Sequence, residues 1–386
     1  MRNKIIILLF FLSGFAFGQS VPNTTTFHLT DVTAVVGGTS LSQAFTNSVD
    51  SYFDPAYKGS KDRLSNFRNY TIPTPSTPVY PSGKYIAVAF DTGYIYTSTN
   101  YGVSWTERNP EGTRLPFTGI ATDSTGQYIT ASIDNYFLLR SNNGGVSWSI
   151  VASPKHWVAI SMSKNAKYQT AAVASGYLYI SVDSGKTWTQ KNFSAAYTSI
   201  SVSSSGQYQA AGIYGGHIFY SQDYGSTWVS DGRANSYNWS GIYTSPLGIT
   251  GVIYGDGLYT TSDYINWYKR TSNQGWSCVS GNINGLYQTA GLGTANYFYY
   301  SSNGGGTWTL SGQLTPGATG ITSISVSSSG QYQAAVIGKY DPIVSTNQWD
   351  VIIFISSDYG HIWSGMIQYH SNGNPAPIEK GYVAIN

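Results

Sequence analysis

The chain has 386 residues, a formal net charge of +2 and only 10% charged residues, while Gly (43), Tyr (33) and aromatics (15%) run high. Soluble proteins average about 25% charged residues, so this composition suits short strands and tight turns. It provides no electrostatic footprint for nucleic acid or an anionic membrane.

Residues 1–18 read as a signal peptide: basic Arg2 and Lys4, an apolar stretch from Ile5 to Phe17, and small Ala16 and Gly18 at the cleavage position. The apolar run is shorter than the ~20 residues of a membrane span, so the mature chain is expected to be exported without a transmembrane segment. Periplasm, cell surface and exterior stay open. A lipoprotein leader would need a Cys after the cleavage site, and the one cysteine is Cys278, which reads as a small buried hydrophobe.

Residues 19–76 form a separate N-terminal module and linker. "TFHLTDVTAVVGG" reads as one or two strands, "SLSQAFTNSV" as a short helix with Leu41, Phe45 and Val49 near one face, and the next stretch as a loop with Lys58, Lys61, Arg63 and Arg68. The segment resembles a short N-terminal module recurrent in proteins exported by Bacteroidota, which implies attachment; a cap on the following domain is the alternative. "TIPTPSTP" is a Pro/Thr linker.

From residue 77 to 369 one motif, S-x-D/N-x-G-x-T/S-W, recurs. Its Asp or Asn and closing Trp are Asn100 and Trp105, Asn143 and Trp148, Asp183 and Trp188, Asp223 and Trp228, Asn303 and Trp308, and Asp358 and Trp363. A seventh copy, Asp263 to Trp267, is one residue short and has Ile265 in place of the glycine. Successive tryptophans lie 39 to 43 residues apart, except for a last step of 55. The identical stretch "TSISVSSSGQYQAA" at 198–211 and 322–335 is the same piece of two units. Within a unit, "WVAISMS", "YQTAAVA", "YLYIS" and "TWTQK" alternate as four strands separated by turns. Four short antiparallel strands per ~40 residues predict an all-β, seven-bladed β-propeller. The motif occupies the third turn of each blade, where a short side-chain oxygen closes the turn and glycine supplies a positive φ. The last stretch, 370–386, ends in "GYVAIN", a candidate strand to close the ring.

These seven motifs resemble the Asp-box, or BNR, repeats of the sialidase-like propeller superfamily, which also includes xyloglucanase-type glycosidases, sorting receptors and non-enzymatic assembly factors. The resemblance implies that the box is a structural turn remote from the catalytic face. Sialidase activity would need three arginines, a Tyr nucleophile with a Glu, and an Asp acid. "FRNYTIP" around Arg68 breaks the arginine motif, and no Glu lies between Glu111 and Glu379. The xyloglucanase type needs two facing propellers, and this sequence carries one.

Function is therefore expected on the face opposite the boxes. Trp157, Trp239 and Trp276 share one repeat position with Tyr197, and either ring the mouth of the central channel, where flat rings would stack on sugars, or pack between blades. The 55-residue spacing marks an insertion, 338–350, whose Tyr340, Asp341, Trp349 and Asp350 make it a candidate binding loop. Asp91, Asp134 and Asp256 fall in second turns and could pair as acid and base, or simply form turns. His28, His156, His217, His361 and His370 show no metal-ligand spacing, and no cofactor motif is present. The expectation is a non-enzymatic binding or adhesion propeller for a glycan or surface protein. Its alternatives are a divergent glycoside hydrolase and a component of a cell-envelope or phage-tail-type assembly.

Overall fold

Alternating apolar residues separated by glycine turns fold each unit into a four-stranded antiparallel sheet. In blade 3 the strands are Trp157–Met162, Gln169–Val173, Gly176–Ser181 and Thr189–Ala195, close to the four stretches read from the alternation. The computed structural model describes residues 83–230, 237–245, 248–253, 256–264, 266–272, 275–293, 297–311, 318–341, 348–370 and 380–386. The signal peptide, the N-terminal module and the linker lie outside the described residues.

Seven such sheets form the ring. Blades 2 and 4 to 7 begin with Phe117–Thr122, Tyr197–Val202, Trp239–Ser245, Trp276–Gly281 and Ala318–Val326. Blade 1 is assembled from both ends of the propeller: the C-terminal strand Gly381–Ile385 pairs with Ile86–Phe90, which is followed by Ile95–Ser98 and Thr106–Arg108. First strands of neighbouring blades touch in a closed cycle, with Gly381–Ile385 between those of blades 7 and 2. The two identical fourteen-residue stretches occupy matching hairpins of blades 4 and 7.

The core is divided among the blade interfaces. Seven buried clusters sit one per interface, and each packs against one box tryptophan: Trp105, Trp148, Trp188, Trp228, Trp267, Trp308 or Trp363. Each of those indoles is only half-buried, covering the outer end of its cluster. In six boxes the bonding is the same. In blade 3, Ser181 Oγ accepts the Gly185 N–H at 2.9 Å, Asp183 Oδ1 accepts the Thr187 N–H at 3.0 Å, and the Trp188 indole N–H donates to the Gly185 carbonyl at 3.2 Å. Asn100, Asn143 and Asn303 accept the corresponding N–H in their boxes. The shortened box keeps the Asp263 turn through the Asn266 N–H at 2.7 Å.

Polar side chains tie the blades together deeper in. Thr130, Thr170, Thr250 and Thr289 each donate to a buried glutamine of the next blade, Gln169, Gln209, Gln288 and Gln333, at 2.5–2.8 Å. On the box face, tyrosines of the box turns meet a tyrosine of the preceding blade, as in Tyr224 and Tyr168 with ring centroids 4.5 Å apart.

Candidate functional site

On the face opposite the boxes, one backbone bond repeats around the rim. The residue after the second strand donates its N–H to the carbonyl before the first strand: Asp91 to Lys380, Asp134 to Pro116, Ala174 to His156, Tyr214 to Ala196, and Gly293 to Gly275. The backbone frame is thus the same while the side chains differ. Among the described residues, ionisable groups stand here at Asp91, Lys380, Asp134 and His156 on blades 1 to 3, and at Asp256 with Lys269 on blade 5. Asp134 and His156 meet between blades 2 and 3, the carboxylate Oδ1 against the imidazole Nδ1.

Tyr382, on the closing strand, joins this sector. In other blades a bulge residue with a small hydroxyl donates to the next blade's carbonyl, Thr198 to Trp239 at 2.6 Å, Ser277 to Ile321 at 2.7 Å and Thr322 to Gly381 at 3.0 Å. Blade 1 lacks that bulge, and Tyr382 stands opposite Ala89 as Ser199 stands opposite Gly212. Burial, and then the negative charges of Asp91 and Asp134, push the Tyr382 phenol up to about 12. The phenol stays protonated at neutral pH, as an unshifted phenol would, within the field of both carboxylates. Asp256, the third candidate carboxylate, lies elsewhere on blade 5. Burial opposes its ionisation, but hydrogen bonds from Lys269 and Tyr259 and the Lys269 charge bring its pKa below the ordinary value.

Of the two readings of the four aromatic candidates, burial selects packing between blades over a stacking surface. Trp157, Trp239 and Trp276 are at most 1% exposed and Tyr197 is 3% exposed. Each lies in the cluster between its own blade and the preceding one. Strand parity directs them between sheets, where Trp157 meets the edge of Tyr179 at 5.1 Å and Trp276 that of Tyr299 at 5.0 Å. A Cβ on Gly251 would lie 2.4 Å from the Trp239 ring, so this glycine makes room for the indole. They are wedges that set the blade spacing and offer a ligand no surface.

The insertion differs from the expected loop as well. Strands Gln333–Asp341 and Gln348–Ser356 pair along their whole length, with Tyr340 opposite Trp349, Asp341 opposite Gln348, and Lys339 opposite Asp350. The run of β-branched and aromatic residues continues the sheet beyond the rim of blade 7, and the intervening residues 342–347 lie outside the described residues. Of the other sequence candidates, Cys278 packs half-buried against the 6/7 interface, and burial pushes its thiol up to about 12. His361 stacks on Tyr300, with centroids 4.2 Å apart. Among the described residues no group of His, Cys, Asp and Glu could hold a metal ion, and no helix is long and apolar enough to cross a membrane.

No family profile matches the chain, and no curated protein matches its sequence. Solved structures do resemble it. YCF48 from Cyanidioschyzon merolae is 16% identical with a TM-score of 0.50, covering 69% of this chain and 95% of that one. YCF48 bound to D1 peptide is 18% identical, with a TM-score of 0.50 and coverage of 72% and 92%. The GH74 xyloglucanase from Xanthomonas campestris is 12% identical with a TM-score of 0.52; the match covers 79% of this chain but 55% of the xyloglucanase. At these identities the likeness establishes architecture: the chain is a seven-bladed β-propeller.

Proposed function

We propose that this chain is an exported, non-enzymatic Asp-box propeller that binds a ligand on the face opposite its boxes. The ligand is rich in hydrogen-bond donors, as a glycan or a protein segment at a cell surface would be. The observation that carries the reading is the set of ionisable groups on neighbouring blades: one repeated backbone bond holds Asp91, Asp134 and His156 on blades 1 to 3, and Tyr382 of the closing strand joins them. Ring closure needs none of their charges, because the same frame is completed by Tyr214 and Gly293 elsewhere. The extended hairpin of blade 7 stands next to blade 1 in the ring and lengthens this sector. Membership of the Asp-box group is supported by the shared bonding of six boxes, and a binding role by the peptide-bound state of one structural neighbour.

The test uses the full chain on glycan and peptide arrays, beside Asp91→Asn/Asp134→Asn and a variant lacking residues 340–348. Loss of binding in both variants, with melting temperature held, is the expected result. Binding that survives both changes refutes the assignment of this face. A second reading, glycoside hydrolysis, is favoured by Asp91 and Asp134, two carboxylates at equivalent places on neighbouring blades. Turnover of fluorogenic glycosides that disappears in the Asp91→Asn/Asp134→Asn variant would establish it in place of binding.

A further inference from the structure

The interfaces between blades are filled in two ways on the box side. The first is the threonine-to-glutamine bond, present at the 2/3, 3/4, 5/6 and 6/7 interfaces. The second is a box tyrosine placed on the preceding blade's tyrosine. Tyr101 meets Tyr332, Tyr224 meets Tyr168, Tyr264 meets Tyr208 and Tyr359 meets Tyr287, which serves the 7/1, 3/4, 4/5 and 6/7 interfaces. The 1/2 interface has neither. Ala87 and Ile129 stand where threonine and glutamine would, and Gly144 stands where the box tyrosine would. A cleft of about 150 Å³ results, bordered by Tyr85, Ala87, Ile129 and Gly144.

One charged side chain lines it, Arg108, and no carboxylate does. At the next two interfaces a basic side chain is spent on the following blade's box: Arg140 Nε donates to the Ser184 carbonyl at 2.6 Å and Lys191 Nζ to the Ser226 carbonyl at 3.1 Å. Arg108 instead donates Nε to Thr97 Oγ1 of its own blade at 3.0 Å, and among the described residues its guanidinium makes no other hydrogen bond and no ion pair. Four of its five N–H donors remain for a guest. The volume equals that of about five waters, room for one carboxylate or phosphate group, and the planar fork of arginine matches both oxyanions in bidentate fashion.

We propose that the cleft between blades 1 and 2, on the box face, is an oxyanion site in which Arg108 binds a carboxylate or phosphate group. The repeat itself supplies the control. Gly144 has φ +69°, beside 62–65° for the four box tyrosines, and a Cβ there would meet nothing nearer than the Gly126 carbonyl at 3.5 Å. Gly144→Tyr should therefore fold, stack on Tyr85 and fill the cleft while leaving Arg108 in place.

The experiment follows the Arg108 Nε–Hε resonance, assigned by its loss in Arg108→Gln, while inorganic phosphate or acetate is titrated into the full chain. Saturable shifts with at least one of the two anions are expected, weakened about tenfold or more in Gly144→Tyr. Saturation by phosphate alone or by acetate alone identifies which oxyanion the site takes. Should Gly144→Tyr fail to fold, Ala87→Thr/Ile129→Gln, which rebuilds the bond used at four other interfaces, fills the same space. No saturable shift with either anion, or an equal shift in a folded cleft-filled variant, overturns the proposal.

Discussion

Phe298 of blade 6 stacks on Trp363, the box tryptophan of blade 7, with ring centroids 4.1 Å apart and planes 21° from parallel. The contact shows what the box indole does: it is carried by one blade and packs on the interface with the preceding one. Truncating such a ring removes aromatic contact area and leaves a cavity that rigid sheets cannot close. Trp363→Ala should lower stability by about 3 kcal/mol, toward the low end for large aromatic truncations because the ring is half-buried. Chemical denaturation measures this, and a midpoint equal to the parent's would remove the interface role of the box tryptophan.

Thr289 Oγ1 donates to Gln333 Oε1 at 2.6 Å, and the Gln333 amide donates onward to the Gly330 carbonyl at 3.2 Å, all within a buried layer. Gln333→Leu alone strands the threonine hydroxyl and the glycine carbonyl, at a cost of about 1–3 kcal/mol. Thr289→Val/Gln333→Leu should cost less than the sum of the two single changes, with a coupling of about 1 kcal/mol in a double-mutant cycle. Strict additivity would mean that the two side chains do not act as a pair.

Lys164, in the first turn of blade 3, donates Nζ to the Ile385 carbonyl of the closing strand at 3.1 Å. Burial lowers its pKa from 10.5 to about 8, with the Asp123 charge opposing. Between those values the unfolded chain binds the proton and the folded chain does not, so stability rises with pH from about 8 toward 10.5. From about pH 9 the Cys278 thiol, and above pH 10 the buried phenols of Tyr243, Tyr264 and Tyr382, all pushed upward chiefly by burial, act in the opposite sense, so the gain stops near pH 9 and stability falls above pH 10. A melting temperature that stops rising near pH 9, with a rising limb worth about 1 kcal/mol, is expected, and Lys164→Met should flatten that limb. A parent protein whose melting temperature falls steadily from pH 8 would contradict the assignment.

The blade number and strand order could be read directly from the sequence, because a tryptophan-ended turn recurring every 39 to 43 residues admits few architectures. The side chosen for Trp157, Trp239 and Trp276 could not, since a strand's alternation defines two faces without saying which meets a neighbouring sheet. In a propeller both faces of every sheet do. The threonine-to-glutamine layer was visible as "YQTA" and "YQAA" in four units, yet its partners lie 38 to 44 residues apart and pair only once the blades stack. The cluster of Asp91, Asp134, His156 and Tyr382 was hidden for a stronger reason. Tyr382 reaches blade 1 only through ring closure, so the chain's last strand supplies part of a site whose other residues come 226 or more positions earlier.

Asn386 completes the ring at a single residue. Its side-chain Oδ1 accepts the Tyr85 N–H at 2.9 Å and its Nδ2 donates to the Ser124 carbonyl of blade 2 at 2.9 Å. The same capping bond, to the N–H of the tyrosine that opens the second strand, is made within single blades by Asp123, Ser163, Ser203, Asn282 and Ser327. Only in blade 1 does it span the two ends of the propeller. Asn386→Ala removes both bonds and leaves the part-buried Tyr85 N–H without its acceptor, which should cost about 2 kcal/mol. Asn386→Ser keeps an acceptor that three other blades already use, so its loss should be about half as large. Hydrogen exchange adds a local reading: amides of Gly381–Ile385 should lose protection in Asn386→Ala before those of the second strand of blade 4. Equal stability of the alanine and serine variants would show that the closing strand is held by its backbone ladder alone.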